Sequence, residues 1–312
     1  MNLRRLSPLV PIVMLPLGLW LGARAFEGHD LSDVAEAIFG MPGSALLLAV
    51  AFAAASYLCL TGFDALGIRY AGRSLPYRKI ALTSFVALSI GHNVGIAALS
   101  SGTLRYRFYS SYGLSGAEIA RVILFCAATV AIGIGVLAGI VLLAAPKFGT
   151  EATGLPAGTA RLIGAAMLVT AALYVLACAT IRGGIVLRGH RFALPDAKLA
   201  LAQVAIGTAN FACAATSLYF LIGTAPFFQT VAAYVLGQVA VIVAHVPGGL
   251  GVLEYVVSLV VGDGRVIGAL IAFRVVYFLV PLLLGGSLLA ATELWGMRRP
   301  ASGAGLKAAP SR

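Results

Sequence analysis

Charge is scarce in this sequence. Only 11% of its 312 residues are Asp, Glu, Lys or Arg, 60% are apolar, and mean hydropathy is +0.98. A water-soluble domain covers its surface with about 25% charged residues, so that class is excluded. The sequence also lacks the GxxxxGK[ST] phosphate loop that ATP-driven pumping would require. HExxH, GxSxG and a paired-Asp motif are missing too, so no enzymatic activity, cofactor or metal is expected. Cysteine is limited to Cys59, Cys126, Cys178 and Cys213, without CxxC spacing, and each lies in an apolar run. Small buried hydrophobes explain them better than a disulfide framework or metal site.

What is present is a succession of apolar runs about 20 residues long, enough to cross a bilayer repeatedly. The net charge of +11 sits at the ends of these runs: Arg4 and Arg5; Arg73, Arg78 and Lys79; Arg182, Arg188, Arg191 and Lys198; Arg298 and Arg299. That is the positive-inside pattern, which marks these loops as cytoplasmic and argues against nucleic acid. The acidic stretch of Glu27, Asp30, Asp33 and Glu36 belongs on the other side. The first run resembles a signal peptide, with Ala23-Arg24-Ala25 as a cleavage-like site. Retained or removed, it leaves the acidic loop outside.

Loop parity then constrains the topology. Spans are expected at about 8–24 and 43–70, and the basic loops 71–79 and 182–198 both belong inside. Three apolar blocks lie between these loops: 80–104, 119–145 and 161–181. One of them must fail to cross. Block 80–104 is broken by Gly91-His92-Asn93-Val94-Gly95, so it is expected to be a re-entrant hairpin entering from the cytoplasm, its freed backbone groups buried in protein. Ser115 through Glu118 has the form of a capping box opening the next span. At the other end, spans are expected at 198–222 and 266–295. Between them, 227–262 is interrupted by Pro247-Gly248-Gly249-Leu250-Gly251, which a continuous helix does not tolerate. This is expected to be a second hairpin, entering from outside.

The fold class expected is therefore an all-α polytopic membrane protein. It has about six full transmembrane helices plus two re-entrant helical hairpins entering from opposite sides; eight spanning helices are the alternative. Residues 1–297 form one membrane domain and 298–312 a flexible cytoplasmic tail, with both termini inside a bacterial inner membrane. Broken helices meeting near the midplane are how many transporters build a binding site.

Ionisable side chains inside the spans mark candidate sites, because retaining them in lipid is costly. Asp64 could pair with Arg69, cap a kink at Gly62 and Gly67, or hold an amine or proton. Glu254 follows the second break, where a negative charge suits the helix dipole and where it would lie near the midplane. Arg274, about two turns into the last span, needs an internal partner, for which Glu254 and Asp64 are candidates. Arg105 and Arg107 alternate with Tyr106, Phe108 and Tyr109; they are either positive-inside anchors or ligands for a phospholipid phosphate. His92 and Asn93 could relay protons or bind headgroup oxygens, or simply bond to backbone. Gln203, Asn210 and Gln238 are expected to bridge helices, and Glu118 to pair with Arg121. The hinge candidates are Gly91, Gly95, Pro247, Gly248, Gly249 and Gly251.

Two passages resemble a known family. Ser89-x3-Asn93-x-Gly95-x3-Leu99-Ser100-x-Gly102-x2-Arg105-x-Arg107-x-Tyr109 and Pro247-Gly248-Gly249-Leu250-Gly251-x2-Glu254 look like the lysylphosphatidylglycerol synthase transmembrane family, the flippase part of the multiple peptide resistance factor proteins. The resemblance extends from about Asp64 to Arg274. It implies movement of aminoacylated phosphatidylglycerol between leaflets, with Arg105 and Arg107 offered to the phosphate and Asp64 and Glu254 to the amine. Full-length members carry a soluble synthase domain, whereas this chain stops soon after Trp295, so no synthase activity is expected of it. Another phospholipid or a polyprenyl-linked lipid stays open as substrate. The partners expected are a phospholipid and the membrane, with a separate lipid-aminoacylating enzyme and a second copy of the chain as candidates. An ion-coupled carrier of a soluble solute and a non-transporting scaffold are the competing functions.

Overall fold

A computed structural model describes residues 38–94, 97–148, 154–181, 184–187, 190–244, 249–262 and 266–297, with Ser32, Ala35 and Val246. The first expected span, the acidic loop, Gly95, Pro247, Gly248, Arg182, Arg188, Arg298 and Arg299 lie outside the described residues. Within them, helices α1 (Gly43–Tyr70), α2 (Tyr77–Val94), α3 (Ala97–Ser111), α4 (Gly116–Ala144) and α5 (Ala157–Thr180) lead to a short ladder of β1 (Ile185–Leu187) and β2 (His190–Phe192). There follow α6 (Ala197–Ile222), α7 (Phe227–Ala244), α8 (Val252–Val261) and α9 (Val266–Arg274). A π-helical turn (Val275–Leu279) joins α9 to α10 (Val280–Met297). The β ladder pairs Ile185 with Phe192 and lies inside what was expected to be a plain basic loop.

Six of these elements are long and apolar enough to cross a membrane: α1, α4, α5, α6, α7 and the continuous run Val266–Leu294; α8 is shorter. The protein is thus a polytopic helical membrane protein. Its polar caps agree with its boundaries. Ser115 and Glu118 form the capping box that starts α4, the Ser115 amide donating to Glu118 Oε2 at 2.7 Å. That box, with Arg73 at 3.7 Å, occupies Glu118, where a simple pairing with Arg121 was expected. Asp196 Oδ1 accepts from the Leu199 amide at 2.8 Å and opens α6. Gly223 closes α6 in the left-handed conformation (φ 66°), which only glycine adopts without steric cost.

Lipid gives apolar side chains no reason to leave it, so close backbone packing must hold such a bundle together. Here α4 crosses α6 where Gly133 meets the backbone of Gly207, and α5 where a Cβ on Gly139 would fall 2.9 Å from the Gly164 carbonyl. Leu47, Leu124, Leu162, Leu173 and Leu176 point outward, as side chains facing acyl tails do. Replacing Gly133 with Leu is expected to force α4 and α6 apart at a cost of about 1–3 kcal/mol. A lower melting temperature in detergent checks this, and an unchanged one would remove the crossing as a contributor.

Both segments expected as hairpins form antiparallel helix pairs, and α7 of the second pair is itself long and apolar enough to cross a membrane, where a re-entrant half-helix was expected. In the first, α2 packs on α3 so closely that a Cβ on Gly91 would lie 2.9 Å from Ser101 Cβ. Gly91 is therefore a packing residue within α2 rather than a hinge. The pair is also longer than residues 80–104, running from Tyr77 to Ser111. In the second pair, Gly237 of α7 packs on Leu253 of α8, a Cβ there falling 2.7 Å from Leu253 Cδ1. Gly249 (φ 61°) and Gly251 (φ 76°) take the positive φ that this turn demands. Gly249 also packs on Val241, leaving no room for a side chain.

Candidate functional site

The charged site residues Asp64, Arg105, Arg107, Glu254 and Arg274 fall into three ion pairs. Each joins a hairpin to a helix of the surrounding bundle. Asp64 on α1 meets Arg105 on α3, whereas Arg69 and Arg274 were the candidate partners. Arg69 trails Asp64 by five residues on the same helix, which carries its side chain around the axis from Asp64. The Arg105 Nε donates to both Asp64 oxygens at 3.1 and 3.0 Å, and Nη2 donates to Oδ1 at 2.7 Å. Tyr109 donates its hydroxyl to Oδ2 at 2.6 Å, Cys126 its thiol to Oδ1 at 3.4 Å, and Arg105 Nη1 reaches Ser101 Oγ at 3.0 Å. Side-chain exposure is 5% for Arg105 and 0% for Asp64. Every charge in this cluster has a partner, so it is a closed lock between hairpin and bundle.

The helical period explains who joins. Ser101, Arg105 and Tyr109 recur every four residues and share one face of α3. Arg107, two residues on, points elsewhere and pairs with Glu293 of α10. Ser101, Tyr109, Cys126 and Glu293 were missed as site residues, although the four-residue spacing around Arg105 was there to be seen. Cys126 is thus a thiol donor in a polar cluster.

The third pair belongs to the second hairpin. Arg274, at the end of α9, donates Nε to Glu254 Oε1, and its Nη2 donates to Glu254 Oε2 at 2.8 Å and to the Gly249 carbonyl at 3.0 Å. Its guanidinium also lies 5.2 Å from the centre of the Phe278 ring. Glu254 is 31% exposed and Arg274 6%. Arg274 is eight residues into its helix, about 12 Å from the end at 1.5 Å per residue. A charge pair at that depth beside a broken helix is open on the Glu254 side.

Between the pairs runs a polar seam. Pro281 lacks the amide that would bond the Tyr277 carbonyl four residues back, and its ring crowds that carbonyl. The π turn absorbs the defect, with Val280 donating to Val275. Side chains from elsewhere bond this stretch: Tyr57 hydroxyl donates to the freed Tyr277 O at 3.2 Å, and Asn93 Nδ2 donates to Phe278 O at 3.4 Å as well as to Ser89 O at 2.8 Å. Asn93 thus bonds to backbone. Ser56 links Asn210 (2.8 Å) to the Tyr277 hydroxyl (2.7 Å), and the His92 ring packs against Tyr57. Gln203 joins three helices, accepting from Tyr174 at 2.5 Å and donating to Thr129 at 2.9 Å; Gln238 is half-buried on α7. Among the described residues no group of three or more His, Cys, Asp or Glu side chains is placed to hold a metal.

No family model matches the chain. Curated relatives do. The inner membrane protein YbhN of Escherichia coli K12 is 32% identical over 263 residues, covering 82% of each chain. The chain belongs to the YbhN family. The uncharacterized protein slr0712 of Synechocystis sp. is likewise 32% identical, over 296 residues and 90% of each chain. Six membrane-length helices and this kinship make the YbhN-family member described here a multi-pass inner-membrane protein.

Proposed function

We propose that this YbhN-family protein moves a phospholipid between the leaflets of the inner membrane, acting as a flippase or scramblase. The observation that carries the proposal is the Glu254–Arg274 pair. It ties the second hairpin to a helix of membrane-crossing length, is bonded to the hairpin's own Gly249 carbonyl, and is exposed at Glu254. Ionisable groups retained within membrane helices serve substrate or ion pathways more often than stability. The resemblance of the two hairpin passages to the lysylphosphatidylglycerol flippase family supports the same function and suggests aminoacylated phosphatidylglycerol as one substrate. In this scheme the hairpins enter from opposite sides and both termini are cytoplasmic. Asp64 and Arg105 hold the first hairpin in place, and Arg107, Glu254 and Arg274 meet the lipid.

The test is headgroup translocation in proteoliposomes carrying labelled lysyl-phosphatidylglycerol or plain phosphatidylglycerol. Protein-dependent movement is expected, falling at least about tenfold in Glu254→Gln, a loss of about 1.4 kcal/mol in the barrier. No movement of any lipid would overturn the proposal in favour of a scaffold or soluble-solute carrier.

A further inference from the structure

The Arg107–Glu293 pair differs from its neighbours in what it leaves undone. It joins α3 to α10 one helical turn before each helix ends, at Ser111 and Met297. This is the basic end of the bundle. Arg73 donates to the Gly113 carbonyl at 2.9 Å just beyond α3, and Lys79 sits 4.8 Å over the Tyr112 ring. Side-chain exposure is 18% for Arg107 and 29% for Glu293, against 5% and 0% in the Arg105–Asp64 lock. Arg107 Nη1 is buried and has no hydrogen-bond partner. A guanidinium has five donors, and a desolvated donor left without an acceptor is unfavourable, more so when charged. The site therefore has an unfilled demand for acceptor oxygens beside a carboxylate that already occupies one side of the fork. Tyr106, 36% exposed and adjacent in sequence, is the kind of ring that settles at the headgroup level.

We infer that Arg107 and Glu293 form a headgroup site at the basic end of the bundle, and that it takes a phosphate ester bearing an amine. The inference rests on the lipid-translocation proposal. A phosphodiester presents two non-bridging oxygens to an arginine fork and would satisfy the idle Nη1 while displacing Glu293, whose carboxylate stands in for it. Displacement alone, however, strands Glu293, and an uncompensated charge in a partly buried pair is destabilising. A ligand that also brings an ammonium group compensates both halves at once. An anionic lipid without an amine compensates only Arg107 and sets its own charge near Glu293. Ethanolamine and aminoacylated phospholipids fit; plain phosphatidylglycerol fits half.

The purified full chain, equilibrated in detergent with equimolar phosphatidylethanolamine and phosphatidylglycerol, reports this through the lipids it retains in native mass spectrometry. The parent is expected to prefer the ethanolamine lipid by about tenfold, equivalent to about 1.4 kcal/mol. In Glu293→Gln the preference should collapse to near parity through stronger retention of phosphatidylglycerol. In Arg107→Ala retention of both should fall, and Arg107→Lys, which keeps charge without the fork, serves if the alanine variant does not purify. An unchanged lipid ratio in Glu293→Gln, or undiminished retention in the Arg107 variants, overturns the site. Glycerophosphoethanolamine, the headgroup without acyl chains, should compete poorly. Competition equal to the lipid's would assign the site to a free phosphate ester and overturn the lipid assignment. Translocation separates this inference from the proposal beneath it. Lipid movement with an unaltered preference in Glu293→Gln removes the site alone, while selective retention without movement keeps the site and removes the flippase.

Discussion

Asp64→Asn is expected to abolish most of the folded yield of this protein, although the change removes only a charge. Asp64 is wholly buried and is the anion for Arg105, itself 5% exposed, and the acceptor for Tyr109 and Cys126. An amide can accept some of those bonds, but its NH2 faces donors, and Arg105 becomes a buried cation with no counter-charge. Breaking a buried pair from one side costs about 3–5 kcal/mol, a large part of a typical total stability of about 5–15 kcal/mol. Monodispersity after solubilisation and the melting temperature in detergent are the readouts. The double variant Asp64→Asn with Arg105→Gln should recover much of the loss, because replacing both partners removes the stranded charge. If Asp64→Asn melts with the parent, the pair is no lock, and a substrate role for Asp64 regains the ground it loses here.

Much of this architecture was legible in the residues. Charge scarcity and span length gave the membrane class. Loop parity, with glycine and proline at two points, located both helix pairs, because a backbone break at membrane depth is tolerated only where protein or water buries it. The pairing of charges was less legible. Arg274 with Glu254 could be inferred from neighbouring elements, but Asp64 with Arg105 joins residues 41 apart across a tertiary contact. Sequence proximity, which made Arg69 a candidate, ignores which helix face each side chain occupies. Arg105 and Arg107 are a similar case. Sequence proximity made them one phosphate cluster, whereas two residues on a helix send one into the Asp64 lock and the other to Glu293. The π turn had a signal in Pro281, which stands inside an otherwise unbroken span and frees the Tyr277 carbonyl. Its consequence was not readable, since Tyr57, which serves the freed carbonyl, comes from α1.

Arg274→Ala is expected to give the opposite balance from Asp64→Asn: a protein that folds and does not transport. The chemistry of the two pairs is alike, so exposure decides between them. Glu254 is 31% exposed and water can take over its charge when Arg274 is removed, which limits the loss to about 1–2 kcal/mol, nearer the surface-pair range than the buried one. The buried Gly249 carbonyl also loses its Nη2 donor, a cost included in that figure. What water cannot replace is the fixed position of Glu254 relative to the hairpin tip. Arg274 holds the carboxylate and the Gly249 carbonyl with one guanidinium, and that fork sets the geometry a headgroup would meet. Headgroup translocation in proteoliposomes should therefore fall by more than about tenfold, or about 1.4 kcal/mol in the barrier, while the melting temperature moves little. Arg274→Lys retains the charge but cannot bind both acceptors in one plane, so it should keep the fold and only part of the transport. Full transport in Arg274→Ala would remove this pair from the pathway, and a collapse in yield would make it a second lock.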